Sequence, residues 1–288
     1  RTPAVKLAPV RMAESPRTPV VFPFLRSLAA LRNGTLVSLS TSGLVELPGS
    51  FDAGIAVPRV AAITNAADFG EALGGGGLIS IFGQNLAPRT ASAGSLPLPT
   101  VLADTCVTIN GLRLPLLFAS PTQINAQLPF DLAGQAATVL HTTGGLSDIF
   151  HAQIQPAAPA IFRLNVAGQT GTFPAVIRSR NNLLTTLSNP LRPNEAFIIF
   201  ATGLGAVGPA VDAGVGAPTA PLANTLTRPV VLLGDTPASL LFAGLAPGFV
   251  GLYQINALVP ADAPLGTQIP LTVVAGGITT TVSVRVVE

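Results

Sequence analysis

Two histidines, His141 and His151, are the residues of this sequence best suited to hold a metal ion or to move a proton near neutral pH. They lie on either side of Gly144 and Gly145, a pair that predicts a hairpin across which the two imidazoles could meet. No further group of His or Cys residues completes a zinc-ligand set, and no Asp-x-Asp-x-Asp-Gly loop indicates calcium. The sequence therefore predicts ordinary strand histidines, with no metal and no cofactor.

Other residue types that serve in catalysis also lack the partners they would need. The one cysteine, Cys106, starts an alternating run and is interpreted as a small buried apolar residue, with a reactive thiol or an interchain bridge as alternatives. The glycine run at 74–77 is not followed by Lys-Ser/Thr, so it predicts a flexible segment before a strand rather than a phosphate loop. No Gly-x-Ser-x-Gly elbow occurs, and 13 acidic residues without an aromatic sugar platform make a poor case for a glycosidase. We expect no catalytic residues.

A short motif, Gln-Ile-Asn-Ala, occurs twice and is followed each time by a proline three residues later. Its polar and apolar members are Gln123, Ile124, Asn125, Gln254, Ile255 and Asn256. In a strand, residues two apart share a face, so the Gln and Asn of each copy would lie together while the Ile between them points to the core. Their amides could bond loop backbone groups. Because the pattern recurs, it favours a structural role over a ligand site.

Three further blocks repeat in the same order, which indicates that the chain contains two copies of one domain. The matched pairs are Ile81-Phe82 with Ile199-Phe200, Leu116-Leu117-Phe118-Ala119 with Leu240-Leu241-Phe242-Ala243, and Gly144-Gly145 with Gly276-Gly277. The offset of roughly 118–132 residues is too long for a solenoid unit. It suits two whole sandwich-sized domains of about 100 residues each.

The composition predicts strands. The chain is 48% hydrophobic and only 10% charged, and its 29 Gly and 27 Pro punctuate runs of Val, Leu, Ile and Thr, as in short strands with many turns. Proline damages helix interiors, so its spread along the chain argues against a helical fold. The clearest alternation is at the C-terminus, where Ser283 and Arg285 would face away from Val282 and Val284.

These observations predict an all-β fold of two tandem immunoglobulin-like β-sandwiches preceded by an extended arm and a short β-meander. The expected boundaries are 1–24 for the basic, Pro-rich arm, 25–57 for the meander, 58–158 for the first sandwich and 159–288 for the second. Because the sequence starts with Arg and not Met, we expect a processed protein or a fragment.

Charge is concentrated at the N-terminus. Residues 1–32 carry six positive charges and one negative charge, whereas the remainder carries nine against twelve. The arm is either a solvated tail or a segment that docks on an acidic surface of a neighbouring copy. The residues expected to form this assembly arm are Arg1, Lys6, Arg11, Arg17, Val20, Val21, Phe22 and Phe24. Neither domain has the basic face that nucleic acid requires, and no run of 18 clean apolar residues predicts a membrane span.

A set of ordered motifs resembles a known family. They are Asn65-Ala66-Ala67 and the segments 74–86, 96–99, 107–111, 118–129 and 159–162. Together they are similar to the Solibacter-type uncharacterised C-terminal domain family over about residues 58–288. That family occurs at the C-termini of large, secreted acidobacterial proteins, and its halves look like IPT/TIG immunoglobulin-fold modules. The resemblance implies an extracellular or cell-surface, non-catalytic module and supplies no catalytic residues.

We therefore expect a structural or adhesive building block that self-assembles into a surface polymer or filament, through strand addition or packing of the arm on a neighbouring copy. Its partners would be other copies or other surface proteins. The alternative is an accessory module that binds a ligand or polysaccharide within a larger secreted protein. The absence of Trp and the single Tyr weigh against that alternative. A hydrolase is the third and weakest hypothesis.

Overall fold

The computed structural model of the chain describes three strands between residues 28 and 47, together with residues 56–168 and 170–288. All regular structure in these ranges is β-strand, which confirms the predicted all-β class. The chain divides into two compact units, Arg1–Ala56 and Val57–Glu288. Within the described ranges no helix has the length and apolar character needed to cross a membrane.

The first unit contains an antiparallel meander of three strands. These are β1 (Leu28–Ala30), β2 (Leu36–Ser40) and β3 (Gly43–Leu47), in the order β1-β2-β3. Leu28 pairs with Ser38, and Leu36 pairs with Leu47. The chain therefore forms strands where the sequence predicts a meander, because short apolar runs there alternate with turn-forming residues.

The second unit begins with two sheets that share one core. Their strands are β4 (Arg59–Asn65), β5 (Leu73–Gly74), β6 (Leu78–Gln84), β7 (Ala91–Ser92), β8 (Cys106–Ile109), β9 (Leu112–Arg113), β10 (Leu116–Ala119), β11 (Gln123–Gln127), β12 (Gly134–Thr142), β13 (Gly145–Leu146) and β14 (Phe150–Gln155). One sheet has the order β4-β6-β11-β10-β7, and the other has the order β5-β14-β12-β8-β9 with β13 beside β12. We call this pair of sheets the first sandwich.

The rest of the unit forms a second pair of sheets, the second sandwich. Its strands are β15 (Ala160–Ile161), β16 (Arg163–Asn165), β17 (Thr172–Pro174), β18 (Val176–Arg178), β19 (Leu183–Leu184), β20 (Ala196–Thr202), β21 (Val207–Gly208), β22 (Asn224–Thr225), β23 (Val230–Leu233), β24 (Thr236–Pro237), β25 (Ser239–Leu245), β26 (Tyr253–Leu258), β27 (Gly266–Ala275) and β28 (Ile278–Val286). The larger sheet runs β19-β18-β20-β26-β25-β22-β21 with β15 beside β20, and the smaller runs β24-β23-β27-β28; β16 and β17 form a separate ribbon.

Each sandwich has its own hydrophobic core. In the first, Ile81 and Ile124 from one sheet meet Val107 and Leu140 from the other. In the second, 26 buried residues form one cluster that draws on both sheets. Burial alternates along the strands that build these cores, as in β26, because successive side chains point to opposite faces of a sheet. Burying one Ile or Leu side chain contributes about 1.5–3 kcal/mol.

The internal repeat extends to strand register. In the first sandwich Ile124 pairs with Ile81, and in the second Ile255 pairs with Ile199. The neighbouring strand carries a β-bulge at the same place in both, once between Leu116 and Phe118 and once between Leu240 and Phe242. Both copies of the sequence thus specify the same three central strands, β6-β11-β10 and β20-β26-β25.

Tight hairpins are formed by an Asn-Gly pair in the first sandwich and a Gly-Gly pair in the second. The turn between β8 and β9 has Asn110 at φ 49° and Gly111 at φ 81°. The turn between β27 and β28 has Gly276 at φ 59° and Gly277 at φ 80°. Two successive positive φ angles are what a two-residue type I′ hairpin requires, and Asn and Gly adopt them at low cost.

Candidate functional site

The repeated Gln-Ile-Asn motif places two amides on the outer face of the first sandwich. Ile124 is fully buried, whereas Gln123 and Asn125 are partly exposed on the opposite face of β11. Gln123 Nε2 donates a hydrogen bond to Asn125 Oδ1 at 2.8 Å. Ser80 Oγ, from the neighbouring strand, donates to the same oxygen at 3.1 Å. The two amides therefore bond each other rather than the loop backbone.

Two phenylalanines flank this amide pair. Phe82 lies directly opposite Gln123, and Phe118 lies directly opposite Asn125. Opposed residues of antiparallel strands project on the same side of a sheet, so the rings and the amides share one face. Both rings are partly exposed, and Phe69 leans on Phe82 at a centroid distance of 5.9 Å. We call Phe82, Phe118, Gln123 and Asn125 the first platform.

The second sandwich has the same arrangement, the second platform, formed by Phe200, Phe242, Gln254 and Asn256. Gln254 Nε2 donates to Asn256 Oδ1 at 2.9 Å, and Ile255 between them is fully buried. The two rings again lie opposite the Gln and the Asn. Ile198 occupies the position of Ser80, so the second platform lacks that hydroxyl.

Each platform has one amide oxygen and one amide nitrogen that form no hydrogen bond with any described residue. These atoms are Gln123 Oε1 and Asn125 Nδ2 in the first platform, and Gln254 Oε1 and Asn256 Nδ2 in the second. A free carbonyl acceptor and a free amide donor therefore stand side by side next to aromatic rings. The Gln–Asn bond holds both amides in place, which reduces the entropy that a ligand must remove on binding.

A cavity lies beside each platform. A polar one of about 250 Å³ adjoins Phe242 and is lined by Asn224, Thr225 and Arg228, whose Nη2 donates to Leu240 O at 3.2 Å. An apolar groove of about 350 Å³ adjoins the first platform. Its walls are Leu78, Leu96, Leu98, Leu117, Phe249 and Leu252. Leu78 is two residues from Ser80 along β6, so the groove continues the face that carries the first platform.

The glycine run at 74–77 positions the two sandwiches against each other. A Cβ on Gly74 would lie 2.3 Å from Gly203 O and 2.5 Å from Ala158 N. A Cβ on Gly76 would collide with the Phe130 ring and with the Tyr253 hydroxyl. The prediction of a flexible segment before β6 is therefore wrong. The glycine run packs closely against the second sandwich, and only glycine, which lacks a Cβ, lets the two backbones approach this closely.

Buried polar side chains complete this junction. Thr202 Oγ1 accepts from Leu78 N at 2.7 Å and donates to Gly251 O at 3.1 Å. The Tyr253 hydroxyl donates to Gly205 O at 2.5 Å, and burial raises the pKa of that hydroxyl far above its usual range. The Leu78–Thr202 bond joins the first sandwich to the second, and the other two bonds order the part of the second sandwich that lies at this junction.

The two histidines do not meet. His141 lies opposite Cys106 and bonds Thr108 Oγ1 at 3.2 Å, whereas His151 lies opposite Ala137 on another strand pair. The imidazoles do not pair across the hairpin, because β12 continues past the region where it pairs with β14. Cys106 is a free thiol and is partly exposed rather than buried, since Val107 and not Cys106 faces the core.

Some expectations lie outside the described residues or stay predictions. The assembly arm lies outside them, namely Arg1, Lys6, Arg11, Arg17, Val20, Val21, Phe22 and Phe24. The filament hypothesis that rests on this arm therefore stays a prediction. In the part of the chain that the structure describes, no three His, Cys, Asp or Glu side chains converge as a metal site would require.

The platform phenylalanines were missed at the level of sequence, although a signal for them exists. Phe82, Phe118, Phe200 and Phe242 all belong to the repeated blocks. Aligning those blocks as antiparallel strands would place the rings beside the Gln and Asn of the motif. The conclusion that the chain lacks an aromatic surface considered only Trp and Tyr.

A scan against protein-family models and a search of curated proteins give no match. Among solved structures, the chain is similar to the surface glycan-binding protein PbSGBP-B of Prevotella bryantii (11% identity, TM-score 0.25, covering 78% of this chain and 41% of that one). It is also similar to SGBP-B of a Bacteroides ovatus mixed-linkage glucan utilization locus, solved with a heptasaccharide (13% identity, TM-score 0.31, 90% and 55%).

A third similar structure is the gamma-CGTase of an alkalophilic Bacillus clarkii, at 13% identity and a TM-score of 0.26, covering 86% of this chain and 29% of that one. The chain spans about half the length, or less, of these solved structures. At such identities and TM-scores the likeness carries no argument about function.

Proposed function

We propose that this chain is a non-catalytic, extracellular carbohydrate-binding module that holds polysaccharide on its two platforms. The observation that carries the proposal is the duplication of one constellation, two phenylalanines around a bonded Gln–Asn pair, at the same register on the outer face of each sandwich. A fold requirement alone would need only the buried Ile of each motif, whereas the platform residues point outward.

The chemistry of each platform suits a sugar ring. A hydroxyl group both donates and accepts, so it can bond Asn125 Nδ2 and Gln123 Oε1 together. The apolar C–H face of a pyranose can at the same time lie on Phe82 or Phe118, as apolar surfaces do with aromatic side chains. In the first platform the buried Ser80 hydroxyl holds Asn125 in place, whereas Ile198 occupies this position beside the second platform and makes it more apolar. We therefore expect the two platforms to differ in affinity.

Duplication also supports a binding role over a single-site enzyme. Two weak sites on one rigid chain raise the overall affinity for a polymer that presents the same unit many times. The junction at Gly74 and Gly203 fixes the separation of the platforms. This arrangement is the one expected of a module that retains a polysaccharide for a larger protein. Membership of the Solibacter-type family remains a proposal that rests on the motifs at 65–162.

The test is affinity gel electrophoresis of the full chain against a panel of neutral polysaccharides, namely xylan, mixed-linkage glucan, glucomannan and dextran. We expect at least one polymer to retard the wild type. Asn125→Ala and Asn256→Ala should each weaken that binding about 5–10-fold, since one hydrogen bond is worth about 1 kcal/mol. The double variant should abolish it.

The control is Gln153→Ala, an exposed amide on β14 in the other sheet of the first sandwich, which should leave the retardation unchanged. Far-ultraviolet circular dichroism would verify that every variant is folded. If no polymer retards the wild type, or if the double variant is retarded like the wild type, the proposed function is wrong.

A further inference from the structure

Phe69 is an exposed aromatic residue in a backbone conformation that a bulky side chain rarely adopts. It lies in the loop after β4, it is 57% exposed, and its φ is 63°, in the left-handed region. Glycine enters that region freely and asparagine at low cost, whereas a phenylalanine there is strained. The next residue is a glycine, Gly70, but its φ lies outside this region. The loop therefore places the strained conformation on the aromatic residue and not on the glycine beside it.

Hydrogen bonds on both sides of Phe69 fix this conformation. Asn65, which is buried, accepts at Oδ1 from the backbone N–H groups of Ala67 and Asp68, both at 3.0 Å. Its Nδ2 donates to Gly70 O at 3.1 Å, and Asp68 Oδ1 accepts from Gly70 N at 2.9 Å. Strain that the surrounding bonds maintain in this way is concentrated at functional sites in proteins, so it directs attention to what the ring does.

The second sandwich has the same left-handed position without an aromatic ring. β4 and β18 are equivalent strands, because Ile63 and Val176 pair with equivalent residues of β6 and β20. The residue six positions after Ile63 is Phe69, and the residue six positions after Val176 is Asn182, whose φ is 54°. Asparagine tolerates this conformation, so the turn itself does not require a phenylalanine. The fold alone therefore does not explain the ring at position 69.

Phe69 extends the first platform through its contact with Phe82. The two ring centroids are 5.9 Å apart, close to the length of one sugar residue, and the ring planes are inclined at 58°. Each ring can contact the apolar C–H face of one pyranose. Two pyranoses lying flat on these rings would be inclined at a similar angle, as successive residues of a three-fold helical chain are. A flat, two-fold ribbon has its rings in one plane, so it would lie flat on only one of the two.

We propose that Phe69 determines the specificity of the first platform, and that this platform binds two consecutive residues of a helically twisted polysaccharide such as xylan. The inference rests on the proposed function, since it takes the platforms to be sugar-binding surfaces. The bonded loop holds the Phe69 ring in place before the ligand arrives, which reduces the entropy lost on binding. The second platform has Asn182 at the equivalent position and binds one residue there, so the first platform is the tighter site.

The first experiment is isothermal titration calorimetry of the full chain with xylohexaose and cellohexaose, which have the same length and linkage but favour a three-fold helix and a flat ribbon, respectively. The Asn256→Ala background weakens the second platform, so the first platform dominates the signal. We expect xylohexaose to bind more tightly than cellohexaose. Phe69→Asn, which copies the second sandwich, should weaken xylohexaose binding about 10-fold by removing one apolar contact, and should abolish the preference. Phe69→Tyr keeps the ring and should bind like the parent.

Thermal melts separate a binding role of Phe69 from a packing role. Phe69→Asn should melt no lower than the wild type, because relief of the left-handed strain offsets the lost contact with Phe82. The control is Leu112→Asn, which removes a similarly exposed apolar side chain (59%) from the other sheet of the first sandwich and should leave xylohexaose binding unchanged.

The possible failures of this inference and of the proposed function can be told apart. Equal xylohexaose affinity with and without the Phe69 ring, a preference for cellohexaose, or a lower melting temperature of Phe69→Asn would overturn the role of Phe69. Binding of a panel polymer but not of xylohexaose would do the same and leave the proposed function standing. If the wild type binds neither oligosaccharide and no polymer, the proposed function is wrong and this inference falls with it.

Discussion

Gln127 Oε1 accepts a hydrogen bond from Gly214 N at 2.6 Å, and this bond joins the first sandwich to the second. The same side chain donates from Nε2 to Gly76 O at 3.1 Å, and it is almost fully buried. In the second copy of the motif the equivalent position is Leu258. The two copies of the motif therefore differ at the position that joins the first sandwich to the second. They are identical at the Gln-Ile-Asn positions, which build the equivalent central strand of each sandwich.

This divergence predicts that Gln127→Leu, which makes the first motif resemble the second, destabilises the protein. Gly214 N and Gly76 O would lose their partners in a buried setting, which costs about 2–4 kcal/mol for the two groups. The free energy of unfolding from urea denaturation would measure it. The reciprocal change Leu258→Gln affects a partly exposed side chain and should cost under about 1 kcal/mol. Equal losses in the two variants would show that Gln127 is not a junction residue.

The close approach of Gly74 to Gly203 predicts that a methyl group at position 74 forces the junction apart. Gly74→Ala would place a carbon 2.3 Å from Gly203 O, and overpacking of this kind costs about 1–3 kcal/mol or more. We expect the melting temperature to fall by roughly 3–10 °C. Gly94→Ala is the matched control, since a Cβ there meets nothing within 4 Å. If Gly74→Ala melts like Gly94→Ala, the glycine contact is not what holds the sandwiches together.

Much of the fold could be predicted because its signals are local. The alternation of apolar residues marks strands of four to six residues, so β8, β14, β23 and β26 begin and end where the pattern changes. The repeat of Gln-Ile-Asn predicts two equivalent central strands, and the shared bulges at Phe118 and Phe242 agree with it. Two-residue strands such as β5 and β21 have no local signal, because partners distant in sequence create them.

The positions of the candidate site residues were harder to predict, because they depend on the register between paired strands and on contacts between segments distant in sequence. The residues next to Cys106 in the sequence do not show which face of its strand is buried. A shift of one residue in strand register would exchange the core-facing side chains for the solvent-facing ones. His141 and His151 meet only if β12 and β14 pair symmetrically about Gly144 and Gly145, which they do not. The packing of the glycine run on Gly203 depends on a contact between distant segments that no window of sequence contains.

The buried hydroxyl of Tyr253 predicts a loss of stability at high pH. Burial raises the pKa of Tyr253 far above the value of about 10 that it has in the unfolded chain. The stability that this group contributes is therefore complete below pH 10, and it falls by about 1.4 kcal/mol per pH unit above pH 10, where only the unfolded state ionises. Since Tyr253 is the one tyrosine of the chain, its tyrosinate absorbance should appear only together with unfolding.

Tyr253→Phe supplies the control for this titration. The variant should lose about 1–2 kcal/mol at neutral pH, because Gly205 O is left without its donor. It should also show a shallower decline of stability above pH 10. Tyrosinate absorbance that rises near pH 10 while the circular dichroism of the wild type is unchanged would contradict the predicted burial.

The ion pair of Arg178 and Glu195 predicts a large energetic difference from the exposed pair of Arg89 and Asp104. Arg178 Nη2 lies 2.5 Å from Glu195 Oε2, with side-chain exposures of only 11% and 16%. Arg178 Nη1 also donates to Asn189 Oδ1 at 2.9 Å and so ties the loop after β19 to the sheet. Glu195→Gln would leave a buried cation without its carboxylate, which costs about 3–5 kcal/mol.

Arg89 and Asp104 lie 3.2 Å apart but are 60% and 57% exposed, so water screens their attraction. Asp104→Asn should therefore change the free energy of unfolding by less than about 1 kcal/mol. Urea denaturation of both variants in low and high salt would measure the contrast, since salt weakens exposed pairs far more than buried ones. A loss below about 1 kcal/mol in Glu195→Gln would mean that Asn189 and solvent together replace the carboxylate, and that the loop is held by its backbone alone.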